Sequence, residues 1–415
     1  MRENPSFAPC ARALGVFALS AGLLFTAGCN SIFGIREGIG GEGGAGGSAT
    51  GGGGTGGTGG GPSCEPQCTN ADYGATEGPC AYQVLYTSKD LMTGGGATGI
   101  VVDEPRDRVL WARGDKQAIV ATPRSGGTSI FLTDVSVGPG AFFPRSLGIA
   151  GDHAYWTDFY AGAVGRLDLA ASKPFPELAA SPPGMALSSS LAFHGGELFF
   201  ATMVSTEQEA NPWCHDPAMS GEPPATCTFR HWRAKTGTNE TPVPFGPDVQ
   251  RGIPGHASDE TRLYWTECDE VGGTIHYLED GNPDPQLLLQ FGTPCGGELA
   301  VEPGPEGLVF WTGSNGIYRA TKTGQNLGPL VDAEGPFSLL ADGKHVYWIE
   351  GSNFFEGPEE DGSVRRVSRD GGPAVTLAPT HKPGALAQDC AAVYWTNTFL
   401  LFQPEQYIEI RKVSK

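Results

Sequence analysis

From residue 95 onward, apolar and polar positions alternate in short runs, and Gly, Pro and Asp punctuate them. The first such group reads GIVVD (99–103), RVLWA (108–112), AIVAT (118–122) and SIFLT (129–133). The second reads SLGIA (146–150), HAYWT (153–157), AVGRLD (163–168) and a run from Pro176 to Ala179. Runs rich in Val, Ile, Phe, Tyr and Trp between turn residues predict strands, four to a group. Helical periodicity is nearly absent.

An aromatic pair, reduced to Leu-Trp in the first group, marks the second strand of each group. The copies are Val109-Leu110-Trp111-Ala112, Tyr155-Trp156-Thr157-Asp158, Phe199-Phe200-Ala201-Thr202 and Tyr264-Trp265-Thr266-Glu267. Phe310-Trp311-Thr312-Gly313, Tyr347-Trp348-Ile349-Glu350 and Tyr394-Trp395-Thr396-Asn397 follow. Third strands share a pattern too, as in Ile317-Tyr318-Arg319-Ala320, Val364-Arg365-Arg366-Val367 and Ile410-Arg411-Lys412-Val413. A repeat of about 45 residues is what four short strands and their turns require. Seven units predict an all-β, seven-bladed β-propeller over 82–415, because radial packing buries both faces of each sheet. The last unit has only three runs: GALAQ, AVYWT and YIEIRKV. The run Tyr82–Thr87 stands alone before the first unit, and pairing it with the last unit is expected to close the ring.

These repeats resemble the YWTD propeller family of lipoprotein-receptor ectodomains, and Tyr155-Trp156-Thr157-Asp158 matches its motif letter for letter. The resemblance spans 82–415. It implies a recognition scaffold in which the motif residues are structural, and it carries over no catalytic residue. That family has six blades, whereas seven units are counted here.

The N-terminus reads as an export signal. Arg2 and Arg12 flank a stretch from Ala13 to Gly28, ALGVFALSAGLLFTAG, which is short for a membrane span and suits a signal peptide. Leu24-Phe25-Thr26-Ala27-Gly28-Cys29 resembles the lipobox of bacterial lipoproteins, with Thr26 departing from the usual leucine. The resemblance implies removal of 1–28 and diacylglycerol on Cys29. Asn30, in place of aspartate, implies the outer membrane. Residues 29–63 form the lipidated linker, and Gly38 to Gly61 is almost entirely Gly, Ala, Ser and Thr. Such a segment cannot build a core; as a flexible coil it spans about 30 Å.

A formal charge of -19, from 46 acidic and 27 basic residues, argues against nucleic acid and against electrostatic docking on anionic lipid. Of ten cysteines, Cys10 lies in the signal and Cys29 carries the lipid. The other eight, Cys64, Cys68, Cys80, Cys214, Cys227, Cys268, Cys295 and Cys390, are expected to form disulfides in an exported chain. Cys64 and Cys68 have zinc-like spacing but no second pair of ligands. Placed on a propeller, the cysteines suggest the pairs 214–227 and 268–295. Cys390 is expected to join one member of the segment 64–81, which holds Cys64, Cys68 and Cys80.

Long insertions interrupt blades three, six and seven on one face: MVSTEQEANPWCHDPAMSGEPPATC, GSNFFEGPEEDGS and NTFLLFQPEQ. They carry the candidate binding residues Trp213, His215, Phe354, Phe355, Glu356, Phe399 and Phe402, since recognition surfaces favour aromatics. The eight histidines form no HExxH, and no Gly-x-Ser-x-Gly elbow occurs. His153 and His345 share one repeat position and read as turn structure. No cofactor or metal is implied. The expectation is a monomeric, non-enzymatic envelope lipoprotein that binds a protein or glycan through its top-face loops. The alternative is a propeller hydrolase or lyase with a metal in its central channel.

Overall fold

The computed structural model describes residues 68, 73, 80–89, 97–114, 116–133, 144–158, 163–171, 176–180, 191–205, 227–249, 255–269, 272–282, 284–292, 295–351, 362–381, 383–399 and 407–415. Among them, seven four-stranded antiparallel sheets form, each built of sequence neighbours except the last. The inner strands are Ala97–Asp103, Pro144–Ala150, Leu191–His194, His256–Ser258, Cys295–Val301, Phe337–Ala341 and Pro383–Gln388. Each contacts the next, and the seventh contacts the first, so the sheets close into a seven-bladed β-propeller.

The closing strand is present where the patterning placed it, one residue later. Gln83–Ser88 is the outer strand of blade seven, paired from Gln83↔Lys412 to Ser88↔Ile408. Tyr82 lies just before it, edge-on to Trp395 at 6.3 Å and beneath the Arg411 guanidinium at 4.8 Å.

The repeated aromatic pair follows from strand geometry. Successive side chains point to opposite faces, and here both faces are buried. One apolar cluster fills each of the seven seams between blades. Tyr347 packs toward blade seven with Trp395, while Trp348 packs toward blade five with Phe310. The threonine after the pair has a separate task. The inner strands of blades one, two, five, six and seven shift register near their start, and backbone N–H groups at the entry to an inner strand need a partner. Buried Thr157, Thr266, Thr312 and Thr396 accept those bonds through Oγ1 from Ser146, Gly255, Glu298 and Gly384 at 2.9–3.2 Å.

Antiparallel order assigns the two ends of the ring. Turns between first and second strands, and between third and outer strands, gather at the bottom. Connections between second and third strands leave at the top. The N-terminal segment meets the bottom: the Cys68 N–H donates to the Lys415 carbonyl and the Tyr73 hydroxyl to the Ser414 carbonyl, both at 3.1 Å. Cys68 and Cys80 are bonded to each other. This excludes zinc ligation by Cys68 and removes both from the choice of partner for Cys390, which is itself disulfide-bonded.

Candidate functional site

The polar groups of the described residues concentrate at two levels of the seams. The lower level lies at the bottom. In blades four, six and seven an aspartate stands five residues before the first aromatic: Asp259, Asp342 and Asp389. Each accepts two backbone N–H groups of its own turn at Oδ1, which shapes the turn as an Asx motif. At Oδ2 each accepts the tyrosine hydroxyl, from Tyr264, Tyr347 and Tyr394 at 2.8–3.1 Å. Oδ2 also meets a cation from the next blade: Lys322 at 2.6 Å, Lys415 at 3.0 Å and Arg124 at 2.5 Å. That cation is always the residue just beyond the third strand.

The same two positions vary together around the ring. Blade five offers Glu302 to Arg369 of blade six at 3.1 Å. Blade two has Ala150 where the acid would be, and blade three has Thr236 where the cation would be. Between blades three and four the polarity is reversed: His194 Nε2 meets Asp280 Oδ1 at 2.8 Å. Burial pushes the Asp259 carboxyl up, but Lys322 and the N–H groups of Thr261 and Arg262 outweigh it and hold it below the usual carboxylate range. Tyr264 and Tyr347 are pushed up by burial and by their aspartates, so their hydroxyls remain donors.

The upper level lies in the body of each seam, where one third-strand residue faces the inner strand of the next blade. Six seams place two aliphatic side chains there in one cluster. They are Ile119 with Leu147, Val164 with Leu191, Ile275 with Leu299, Ile317 with Leu339, Val364 with Leu386, and Ile410 with Ile100. Strand register identifies the seventh pair. Thr157↔Val164, Thr266↔Ile275 and Thr312↔Ile317 correspond to Ala201↔His231, while Trp156↔Leu147 and Trp311↔Leu299 correspond to Trp265↔His256. His231 Nδ1 and His256 Nε2 are 3.1 Å apart, and both residues are buried. Phe245 and Trp265 pack on His231 at 5.3 and 5.6 Å, and His276 stacks on the outer side of Trp265 at 5.6 Å. His276 lies 3.7 Å from Glu267, and Glu267 accepts the Trp265 indole N–H at 3.2 Å. Burial, and then His231, hold His256 well below the ordinary histidine range. Four of the eight histidines thus meet in one seam.

A second buried acid stands on an inner strand. Glu298 of blade five accepts the N–H of Ser338 of blade six, and burial pushes its carboxyl well above the ordinary range. Ser338 has φ 58, left-handed for a residue with a side chain, and its Oγ accepts the Leu386 N–H at 2.7 Å. A hydrogen-bonded chain therefore links the inner strands of blades five, six and seven.

The candidate residues read from sequence fall as follows. Trp213, His215, Phe354, Phe355, Glu356 and Phe402 lie outside the described residues, as do Cys29, Cys64 and Cys214. Phe399 is not in a loop: it ends the second strand of blade seven, paired with Tyr407, so the insertion there is confined to 400–406. Cys227 opens the third strand of blade three, and Cys268 and Cys295 lie within strands at the top of blades four and five. The candidate pairs 214–227 and 268–295 rest on side chains outside those described. His153 and His345 do share a register, against Asp168 and Ser368. Sequence reasoning missed the histidine pair and the bottom-face acids. Among the described residues, no group of three or more His, Cys, Asp or Glu is placed to hold a metal ion.

The strand topology defines a seven-bladed β-propeller. No protein-family model matches the chain, and no curated protein matches it. Among solved structures it is similar to a chain of a nidogen/laminin complex, with TM-score 0.42 and 15% identity over 63% of this chain and 89% of that one. It is similar to a gluconolactonase from Xanthomonas campestris, at TM-score 0.43 and 15% identity over 64% and 85%. It is also similar to the calcium-binding protein regucalcin from Agrobacterium tumefaciens, at 0.43 and 13% over 81% and 96%.

Proposed function

We propose that the chain is an exported, lipid-anchored binding propeller that holds its top face away from the membrane. One observation carries this reading. The three long connections, 206–226, 352–361 and 400–406, all join second to third strands and so leave at the top. The equivalent connections of blades four and five are only 270–271 and 314–315. The N-terminal segment, to which the tether belongs, attaches at the opposite end through Cys68 and Tyr73. Long excursions gathered on one end of a rigid scaffold are where binding residues sit. The partner is a protein or glycan of the envelope, recognised by the aromatic and acidic residues in those connections.

Two experiments test the reading. Cys29→Ser should release the protein from membrane fractions, and continued pelleting would sink the anchor. Replacing 206–226 and 352–361 with short turns should preserve folding and abolish binding to isolated envelope protein and glycan fractions. Stoichiometric calcium or zinc in the purified protein, lost on Glu298→Gln, would instead favour a metal-assisted hydrolase or lyase in the channel.

A further inference from the structure

We propose that the upper part of the seam between blades six and seven binds a small monovalent anion, a halide, between Trp395, Asn397 and Thr380. Three polar atoms carry the inference: the indole Nε1 of Trp395, the carboxamide Nδ2 of Asn397 and the hydroxyl Oγ1 of Thr380. All three side chains are fully buried, and none of the three atoms has a hydrogen-bond partner among the described residues. A buried donor without an acceptor is costly, so three at one place point to a group that accepts from them together.

Strand parity brings them together. Trp395 packs toward blade six with Leu340 and Tyr347, and Asn397, two residues on, shares its face. Thr380 ends the outer strand of blade six, two residues after Ala378, which lies in that same cluster. The Asn397 Oδ1 accepts the His381 N–H at 2.7 Å, which seats the carboxamide against the end of that strand and leaves its Nδ2 for another partner.

The repeats show what kind of group belongs there. In blades four and six the residue two beyond the tryptophan is a glutamate: Glu267 accepts the Trp265 indole N–H and Glu350 the Trp348 indole N–H, both at 3.2 Å. Each of these acids also meets a basic side chain of the third strand, His276 at 3.7 Å or Arg365 at 2.5 Å. In blade seven the amide of Asn397 replaces the carboxylate, so an acceptor gives way to a donor. The basic side chain is retained as Arg411, which meets Glu409, opposite Asn397 in the ladder, at 2.7 Å. Arg411 also donates to the Pro379 carbonyl of blade six at 3.2 Å. An anion lodged beside the amide restores the order of indole, acceptor and cation found in the other two blades. Trp311 of blade five is the internal control. Its indole N–H also lacks a partner, but Gly313 stands two residues on and brings no second donor.

The donors select the ligand. Indole and carboxamide N–H groups offer protons and no lone pair, and a hydroxyl can rotate to donate. They suit an anion and disfavour a cation. With all three side chains sealed from solvent, a single-atom anion fits better than a carboxylate or phosphate. The site lies at the roots of two long connections, since Gly351 and Gly362 bound 352–361 while Phe399 and Tyr407 bound 400–406. A bound halide ties the two blades together at the base of both.

Thermal unfolding of the full-length protein tests this in sodium chloride, sodium bromide and sodium gluconate at equal ionic strength. Chloride and bromide should raise the Tm over that in gluconate by about 2 °C for each tenfold increase above half-saturation. Asn397→Asp keeps the acceptor for the His381 N–H, gives the indole N–H a carboxylate and repels an anion, so it should abolish the halide dependence. Crystals of the native protein grown in bromide should show an anomalous peak between Trp395, Asn397 and Thr380 and none beside Trp311. Equal Tm in the three salts, a halide effect that persists in Asn397→Asp, or ordered water with no bromide at the site would each overturn the proposal. The crystal readout needs no variant, so it decides the matter should Asn397→Asp fail to fold.

Discussion

At the scale of single residues, buried polar side chains of the propeller act mainly between blades. Asp259 illustrates the load one carboxylate carries: two turn N–H groups, one tyrosine hydroxyl and one lysine from the next blade. Asp259→Ala leaves all four without their acceptor in a buried setting, and is expected to destabilise the fold by about 3 kcal/mol in urea unfolding. Its contribution is present above the unfolded pKa of about 4 and is lost as pH falls through the lower folded value. The variant should therefore flatten the stability profile below about pH 4; an unchanged acid limb would contradict the assignment. The tyrosine of the repeat was visible in the sequence, but its purpose was not. The aspartate that explains it sits five residues earlier, and the cation comes from another blade. His231 was hidden for a similar reason. It follows the connection 206–226, so its equivalence to Ile119 or Ile317 appears only once strands are paired.

At the scale of elements, the blades were legible because both periods, two along a strand and about 45 along the chain, survive in the sequence. Boundaries were less so. Phe399 reads as part of an insertion that begins at Asn397, because Asn397 and Thr398 look like turn residues. In the fold, buried Asn397 donates nothing to a loop: its Oδ1 accepts the His381 N–H at 2.7 Å, and Thr398 Oγ1 accepts the Ala97 N–H at 3.2 Å. Both are strand residues, and the Thr398 bond ties the last blade to the first. The cysteines of the same region give a further test. With Cys68 bonded to Cys80, Cys64 is the remaining member of the N-terminal three. Non-reducing peptide mapping should recover a Cys64–Cys390 crosslink; a free Cys64 thiol would refute it. Such a bridge would fasten the entering segment beneath blade seven, adding about 2–4 kcal/mol.

At the scale of the whole molecule, the glycine-rich tether and the propeller are expected to be energetically separate. Deleting 38–61 should leave the Tm within about a degree, because beyond Ile39 the segment has no large apolar side chain from which a core could be built. Removing 64–90 should lower it sharply, since the outer strand of blade seven and the Cys68–Cys80 bond go with it. Calorimetry distinguishes the two, and a large shift in the tether deletion would show that the linker packs on the body.

The closing strand also sets an order of events during biogenesis. Gln83–Ser88 is synthesised ahead of all the other strands of the ring, and its partner Tyr407–Ser414 after them. Until then six blades can stack while the seventh remains incomplete, and the early strand must wait with both edges unsatisfied. A ring joined this way folds slowly, since its final pairing spans almost the whole domain. It is exposed meanwhile to edge-to-edge association with other nascent copies. The glycine tract at 38–61, poor in β-forming residues, gives a neighbouring chain little more to pair with.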